Sequence, residues 1–180
     1  MTIKQRIKII SLGDTNSGKS CIIRRFCEGR FLQTYTPTIG IDYGVKEMKM
    51  NVYNGNEKID LCVHFWDFSG DSEYAEIVNE FFDDIDAAFI VYDITNRQHF
   101  TSVEKWIQES KIAGVDMERV SFVLCANKID CDARKVSREE GEKLAVANHM
   151  DFFETSSCTG ENVEEMMVSM FQKAIRRRME

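Results

Sequence analysis

The chain has 180 residues, 43% of them hydrophobic, which suffices for one apolar core and leaves no room for a second full domain. Asp and Glu number 30 against 23 Lys and Arg, a formal net charge of −7, so the surface has little attraction for a nucleic acid backbone and no nucleic-acid partner is expected. The 6 cysteines form no Cys-x-x-Cys pair and the 3 histidines do not fall at ligand spacing beside them, which argues for reduced intracellular thiols rather than a disulfide framework or a zinc site.

In chain order, Arg6 to Leu12 carries Ile7, Ile9, Ile10 and Leu12 and stops at Gly13, the pattern of a buried strand. Ser20 to Glu28 reads as a helix. Ile41 to Tyr53 and Glu57 to Trp66 flank Asn54-Gly55-Asn56, a turn signal that predicts a hairpin. Ala87 to Tyr92 and Val120 to Cys125 are apolar runs of strand length, each followed by a polar helical pattern, as in parallel strands joined by helical crossovers. The first of these is the longest apolar run, far below the roughly 18 residues of a membrane-spanning helix. Asp151 to Thr155 supplies a last strand. Val163, Met166, Met167, Met170, Phe171, Ala174 and Ile175 then recur at three- and four-residue spacing, a stripe that packs a C-terminal helix on the sheet in preference to forming a partner groove. Pro37 is the only proline, and no repeat or linker interrupts the chain, so residues 1–180 read as one domain. The expectation is an α/β fold: a mostly parallel six-stranded sheet with one antiparallel strand, helices on both faces, and ligands beyond the carboxyl ends of the strands.

Between the first strand and the first helix lies Gly13-Asp14-Thr15-Asn16-Ser17-Gly18-Lys19-Ser20, which fits G-x-x-x-x-G-K-[ST] in the context that the motif requires. The glycines let the backbone curl so that successive N–H groups, continued by Cys21, face inward, and the following helix adds its positive end. Lys19 brings a charge for the terminal phosphates, and the Ser20 hydroxyl suits a magnesium ion. A simple glycine-containing turn is the competing reading, and the strand-loop-helix placement disfavours it.

A phosphate loop does not choose a base. Asn127-Lys128-Ile129-Asp130, directly after an apolar strand, does: the segment resembles the guanine-specificity motif of Ras-like small GTPases. A carboxylate at Asp130 can accept two N–H bonds from guanine, whereas adenine would leave it unpaired in a buried site. Further segments resemble the same family in the same order. Phe31 to Gly40 looks like switch I, with Thr38 as a second magnesium hydroxyl, Phe31 near the base and Tyr35 over the phosphates. Trp66-Asp67-Phe68-Ser69-Gly70 looks like the start of switch II, with Asp67 holding magnesium through water and the Gly70 N–H sensing the γ-phosphate. Glu154 to Ser157 looks like the last guanine loop, which adds Ser156, Ser157 and the following Cys158 to Asn127, Lys128 and Asp130 around the base. Within the family, Ser20 to Arg25, Thr38 to Val45 and Cys125 to Cys131 are most similar to the RJL group of Rab-related GTPases.

The resemblance implies a P-loop NTPase of the Ras-like type that binds GTP or GDP with Mg²⁺. It implies catalysis resting on Lys19, Thr38, Gly70 and the residue after Gly70. It also implies effector, exchange and GTPase-activating proteins that read switch I and switch II of a monomer. Two positions depart from the family. Asp71 stands where a glutamine usually orients the attacking water, and an ionised carboxylate cannot donate a hydrogen bond and repels the γ-phosphate. Slow hydrolysis is therefore expected, with a hydrolysis-deficient scaffold as the alternative. Cys158 stands where a lysine usually packs beside the base, which predicts faster nucleotide release. If residues 1–180 are the complete chain, no lipid anchor is expected, since Met1-Thr2 lacks a myristoylation glycine and Arg176 to Glu180 lacks a prenylation cysteine. Cytoplasmic placement inside the cell is the expectation, with nuclear or cilium-associated sites left open by the short basic tail.

Overall fold

The computed structural model describes residues 4–34, 36–51 and 58–179. Tyr35 and the proposed turn Asn54-Gly55-Asn56 lie outside the described residues. Among those described, the elements run β1 (Lys4–Leu12), α1 (Lys19–Glu28), β2 (Ile41–Asn51), β3 (Lys58–Phe68), a 3₁₀ turn (Ser72–Tyr74), α2 (Ala75–Asn79), β4 (Ala87–Asp93), α3 (Arg97–Ile112), β5 (Ser121–Asn127), α4 (Arg138–Ala147), β6 (Asp151–Thr155) and α5 (Val163–Met179).

The six strands form one sheet in the order β2-β3-β1-β4-β5-β6. Only the β2–β3 pair is antiparallel, and its register runs from Ile41 opposite Phe68 to Asn51 opposite Lys58, as two consecutive strands of a hairpin require. The order reverses direction at β1, whose neighbours are β3 and β4. A crevice opens at such a reversal beyond the carboxyl ends of the strands, and the loop Gly13 to Gly18 leaves β1 there.

Both faces of the sheet are covered. Ile7, Ile9, Phe65 and Phe89 pack with Met166, Met167, Met170 and Phe171 of α5, so the methionine stripe belongs to the core. Ile10, Leu12, Phe68, Ile90 and Leu124 point the other way and pack with Trp106, Ile107 and Ala145 of α3 and α4. Strands buried on both sides read as continuous apolar runs, which is why β4 and β5 were visible as such. β5 runs on to Asn127, two residues past the sequence estimate, so that the Asn127 side chain is held by sheet backbone rather than by a loop.

Local capping fits the element ends. Asn96 accepts a hydrogen bond from Gln98 N at 3.0 Å to start α3, and Ser137 and Glu140 form a reciprocal capping box at α4. α1 starts at Gly18, with φ 107°, and stops at Gly29, with φ 69°, whose N–H returns to Arg25 O at 2.9 Å. No described helix is long and apolar enough to cross a membrane.

Candidate functional site: a phosphate loop and a base-reading corner

The loop after β1 folds around its own lysine. Lys19 is almost fully buried, and its ammonium donates to Gly13 O at 2.8 Å and Asp14 O at 3.0 Å. Burial pushes its pKa down to about 8, while the charges of Asp67 and Asp14 pull it back up. A buried ammonium that gives two of its three N–H groups to backbone carbonyls keeps one donor and its charge for an anion. Asn16 takes the left-handed conformation, φ 63°, which an asparagine tolerates better than most side chains. Trp106 of α3 ties the loop from outside, its Nε1 donating to Asp14 Oδ1 at 2.8 Å.

Two hydroxyls meet beside the lysine. Ser20 Oγ, in the first turn of α1, lies 2.9 Å from Thr38 Oγ1 of the segment before β2. Adjacent oxygens of an octahedral magnesium ion, each about 2.1 Å from the metal, are about 3.0 Å apart, so this spacing fits two such ligands. Asp67, at the end of β3, is buried below them and accepts from Ser11 Oγ at 2.7 Å. Burial pushes its carboxyl up, against hydrogen bonds from Ser20 and Ser11 and the charge of Lys19. An all-oxygen set of this kind suits a hard divalent cation.

Lys19, Ser20, Thr38, Gly70 and Asp71 line one cavity of ≈ 150 Å³. Gly70 rests directly on the phosphate loop: a Cβ there would come within 2.2 Å of Thr15 N and 2.5 Å of Gly13 O. Asp71 sits at the rim with its carboxylate turned along its own chain. Asp71 Oδ1 accepts from Glu73 N at 3.0 Å, and the side chain is the N-cap of the Ser72–Tyr74 turn.

The residues expected at a guanine base gather on the far side of the loop. Asn127 is fully buried and joins three segments: its Nδ2 donates to Ser17 O at 3.0 Å and to Ser157 Oγ at 3.3 Å, and its Oδ1 accepts from Ser157 N at 3.1 Å and Thr155 Oγ1 at 3.3 Å. Lys128 has φ 71° and pairs with Asp93 Oδ2 at 2.7 Å. Burial raises the Asp93 carboxyl, but hydrogen bonds from Lys128 and Thr95 outweigh it and leave the pKa below its ordinary value. Asp130 is exposed, not in the buried site expected from the sequence, and its Oδ1 accepts from Ser156 Oγ at 2.5 Å. Cys158 is exposed in the same loop and Phe31 is half-buried after α1.

The sequence-selected residues Gly13 to Ser20, Thr38, Asp67 and Gly70 thus come together at one mouth, and Asn127, Asp130, Ser156 and Ser157 at its neighbour. Four supports were not selected: Ser11 under Asp67, Asp93 under Lys128, Trp106 beside Asp14, and Arg25. The Arg25 Nε donates to Ser157 O at 3.0 Å across 132 residues of sequence. Each is ordinary by residue type and acts through a long-range contact, which a motif does not display.

A sheet of this order, with a glycine-bounded phosphate loop after β1 and an Asn-Lys-x-Asp corner after β5, defines the α/β P-loop GTPase fold. The Ras family model matches residues 8–176, and the chain belongs to the Ras family of small GTPases. It is 39% identical over 170 residues to DnaJ homolog subfamily C member 27 of Danio rerio and to that of Homo sapiens, covering 92% of this chain and 60% of each relative. The identity to the Gallus gallus protein of that name is 38% over 174 residues, 94% of this chain and 62% of the relative. The chain therefore spans about 60% of the length of these relatives.

Proposed function

We propose that this chain is a guanine-nucleotide switch of the Rab-related RJL group, which binds GTP and GDP with magnesium and hydrolyses GTP slowly. The observation that carries the reading is the 2.9 Å approach of Ser20 Oγ to Thr38 Oγ1 beside the buried Lys19 ammonium. Ser20 and Thr38 would hold magnesium directly and Asp67 through water, and the ion would neutralise charge on the phosphate oxygens. Lys19 binds the terminal phosphates, and the backbone N–H groups of residues 14–21 cradle them. Asp130 accepts two N–H bonds from guanine, with Ser156 fixing its other lone pairs.

Thr38 and Gly70 belong to two separate segments that meet the phosphates at one point. A γ-phosphate draws both inward and its loss releases both, which is how the nucleotide state becomes a surface that effector, exchange and activating proteins read. Cytoplasmic action as a monomer accords with this reading.

Slow turnover follows from Asp71. The residue offers no donor to orient a water, and its carboxylate is engaged by Glu73 N. That same observation favours a second reading, a nucleotide-bound scaffold that does not hydrolyse at all. Single-turnover hydrolysis of preloaded GTP by wild type and Asp71→Gln tests both. A slow wild type and a faster variant support the switch; no phosphate release, even with cell extract, supports the scaffold. A wild type as fast as the variant overturns the role given to Asp71.

A further inference from the structure

Arg25 lies on α1, away from the phosphates, yet its guanidinium serves three backbone carbonyls. Nε donates to Ser157 O at 3.0 Å, Nη1 donates to Gly29 O at 3.0 Å, and Nη2 donates to Cys158 O. The stem lies along Gly160, where a Cβ would meet Arg25 Cδ at 3.5 Å. A planar fork with five donors fits such a set of acceptors; a lysine could satisfy one or two of them.

The consequence is directional. A trans peptide is planar, so the N–H after each carbonyl points opposite to it. Holding Ser157 O toward Arg25 turns the Cys158 N–H away from Arg25. Holding Cys158 O likewise turns the Thr159 N–H inward, where it donates to Ser156 Oγ at 3.0 Å. Ser156 Oγ is then an acceptor on one side, and its proton goes to Asp130 Oδ1 at 2.5 Å. One chain of hydrogen bonds runs from Arg25 through the Cys158–Thr159 peptide and Ser156 to the carboxylate that reads the base. The third bond ends at Gly29, the C-cap of α1.

We infer that Arg25 is a positioning residue for the guanine base: it aims the Cys158 N–H at the base oxygen and sets the orientation of Asp130. This rests on the guanine-nucleotide reading above. It also assigns a role to Cys158 that its side chain does not reveal. The lysine that usually walls the base is absent, and the backbone of the same residue, fixed by Arg25, holds the base in its place.

The test compares two diphosphates on Arg25→Ala, Arg25→Lys and wild type: GDP, and purine riboside diphosphate, which keeps the ribose and phosphates but lacks the 6-oxo and 2-amino groups. Arg25→Ala is expected to raise the GDP dissociation rate by about tenfold or more. Affinity for purine riboside diphosphate, read by competition against fluorescent GDP, is expected to stay within about twofold. Arg25→Lys is expected to fall between wild type and Arg25→Ala, and it carries the comparison if the alanine variant does not fold. A GDP rate within about twofold of wild type overturns the inference, as does equal weakening of both nucleotides, which would mean general loosening of α1. A wild type that prefers GDP over purine riboside diphosphate by nothing overturns the guanine reading itself.

Discussion

Replacing Asn127 removes the joint between the phosphate loop and the base corner. In Asn127→Ala the carbonyl of Ser17 and the N–H of Ser157 each lose a partner in a fully buried setting, at 3.0 and 3.1 Å in the intact protein. A buried polar group left without a partner costs about 1–3 kcal/mol, so two such groups amount to roughly 2–4 kcal/mol once partial relaxation is allowed. On the proposed guanine-nucleotide reading, a bound nucleotide would span the two loops that this side chain connects, and most of the loss would appear as weaker binding. At about 1.4 kcal/mol per decade, the dissociation rate should rise by about 30-fold or more. Stopped-flow release of fluorescent GDP into excess unlabelled GDP measures it. Asn127→Asp sharpens the test, because the isosteric change removes both Nδ2 donors and sets a carboxylate against Ser17 O. It should be at least as severe as alanine. A rate within about threefold of wild type for both variants would refute the argument that Asn127 acts as the clasp.

Gly70→Ala should drive the segment after β3 off the phosphate loop, since its Cβ would meet backbone atoms at 2.2–2.5 Å that no side-chain rotation can move. Overpacking of this kind costs about 1–3 kcal/mol, or a melting-temperature loss of about 2–4 °C per kcal/mol in a chain of this size, and an unchanged melt would contradict it. Cys158→Lys should slow GDP release by restoring a side-chain wall beside the base, and an unchanged off-rate would show that the backbone alone matters there. Glu140 carries a pH signature: hydrogen bonds from Arg97 and from Ser137 N hold its carboxyl down to about 2 from an ordinary 4.5. Its contribution is present above about pH 4.5 and is lost as pH falls toward 2, so Glu140→Gln should flatten the fall of melting temperature in that window. Identical acid slopes would remove Glu140 from the account.

The sheet was legible because its central strands are buried on both faces and its last helix repeats apolar residues at helical spacing. Val123 and Leu124, or Ile9 and Ile10, can both be apolar only if each side of the strand is covered. The phosphate loop was legible because glycine and lysine at fixed spacing serve the backbone geometry of one anion site. Asn127 was found by motif, but its function as a clasp was not, since its partners Ser17 and Ser157 lie 110 and 30 residues away. Arg25, Ser11 and Trp106 escaped for the same reason. A side chain that positions another by reaching across the fold leaves no periodicity, and nothing local marks it.

Asp71 is tied into the chain that follows Gly70, and the proposed slow hydrolysis can be tested against that tie. Its backbone N–H donates to Ser69 Oγ at 3.3 Å, its carboxylate caps Glu73 N at 3.0 Å, and its carbonyl accepts from Tyr74 N at 3.1 Å. The carboxylate and the carbonyl thus fold the turn Ser72–Tyr74, while the N–H ties back to the segment before it. For the side chain to approach the phosphates it must leave the cap, at a cost of about 0.5–2 kcal/mol, and arrive as an anion beside an anion. Glutamine is a poor cap and a neutral donor, so Asp71→Gln should speed hydrolysis and lower the melting temperature together. Asparagine caps as well as aspartate and is also neutral, but its shorter amide stays on Glu73 N. Asp71→Asn should therefore keep the wild-type melt and gain little rate. If Asp71→Asn accelerates hydrolysis as much as Asp71→Gln does, charge alone was the obstacle and the cap is incidental; if neither variant changes the rate, the water is placed by other groups and Asp71 belongs to the turn only.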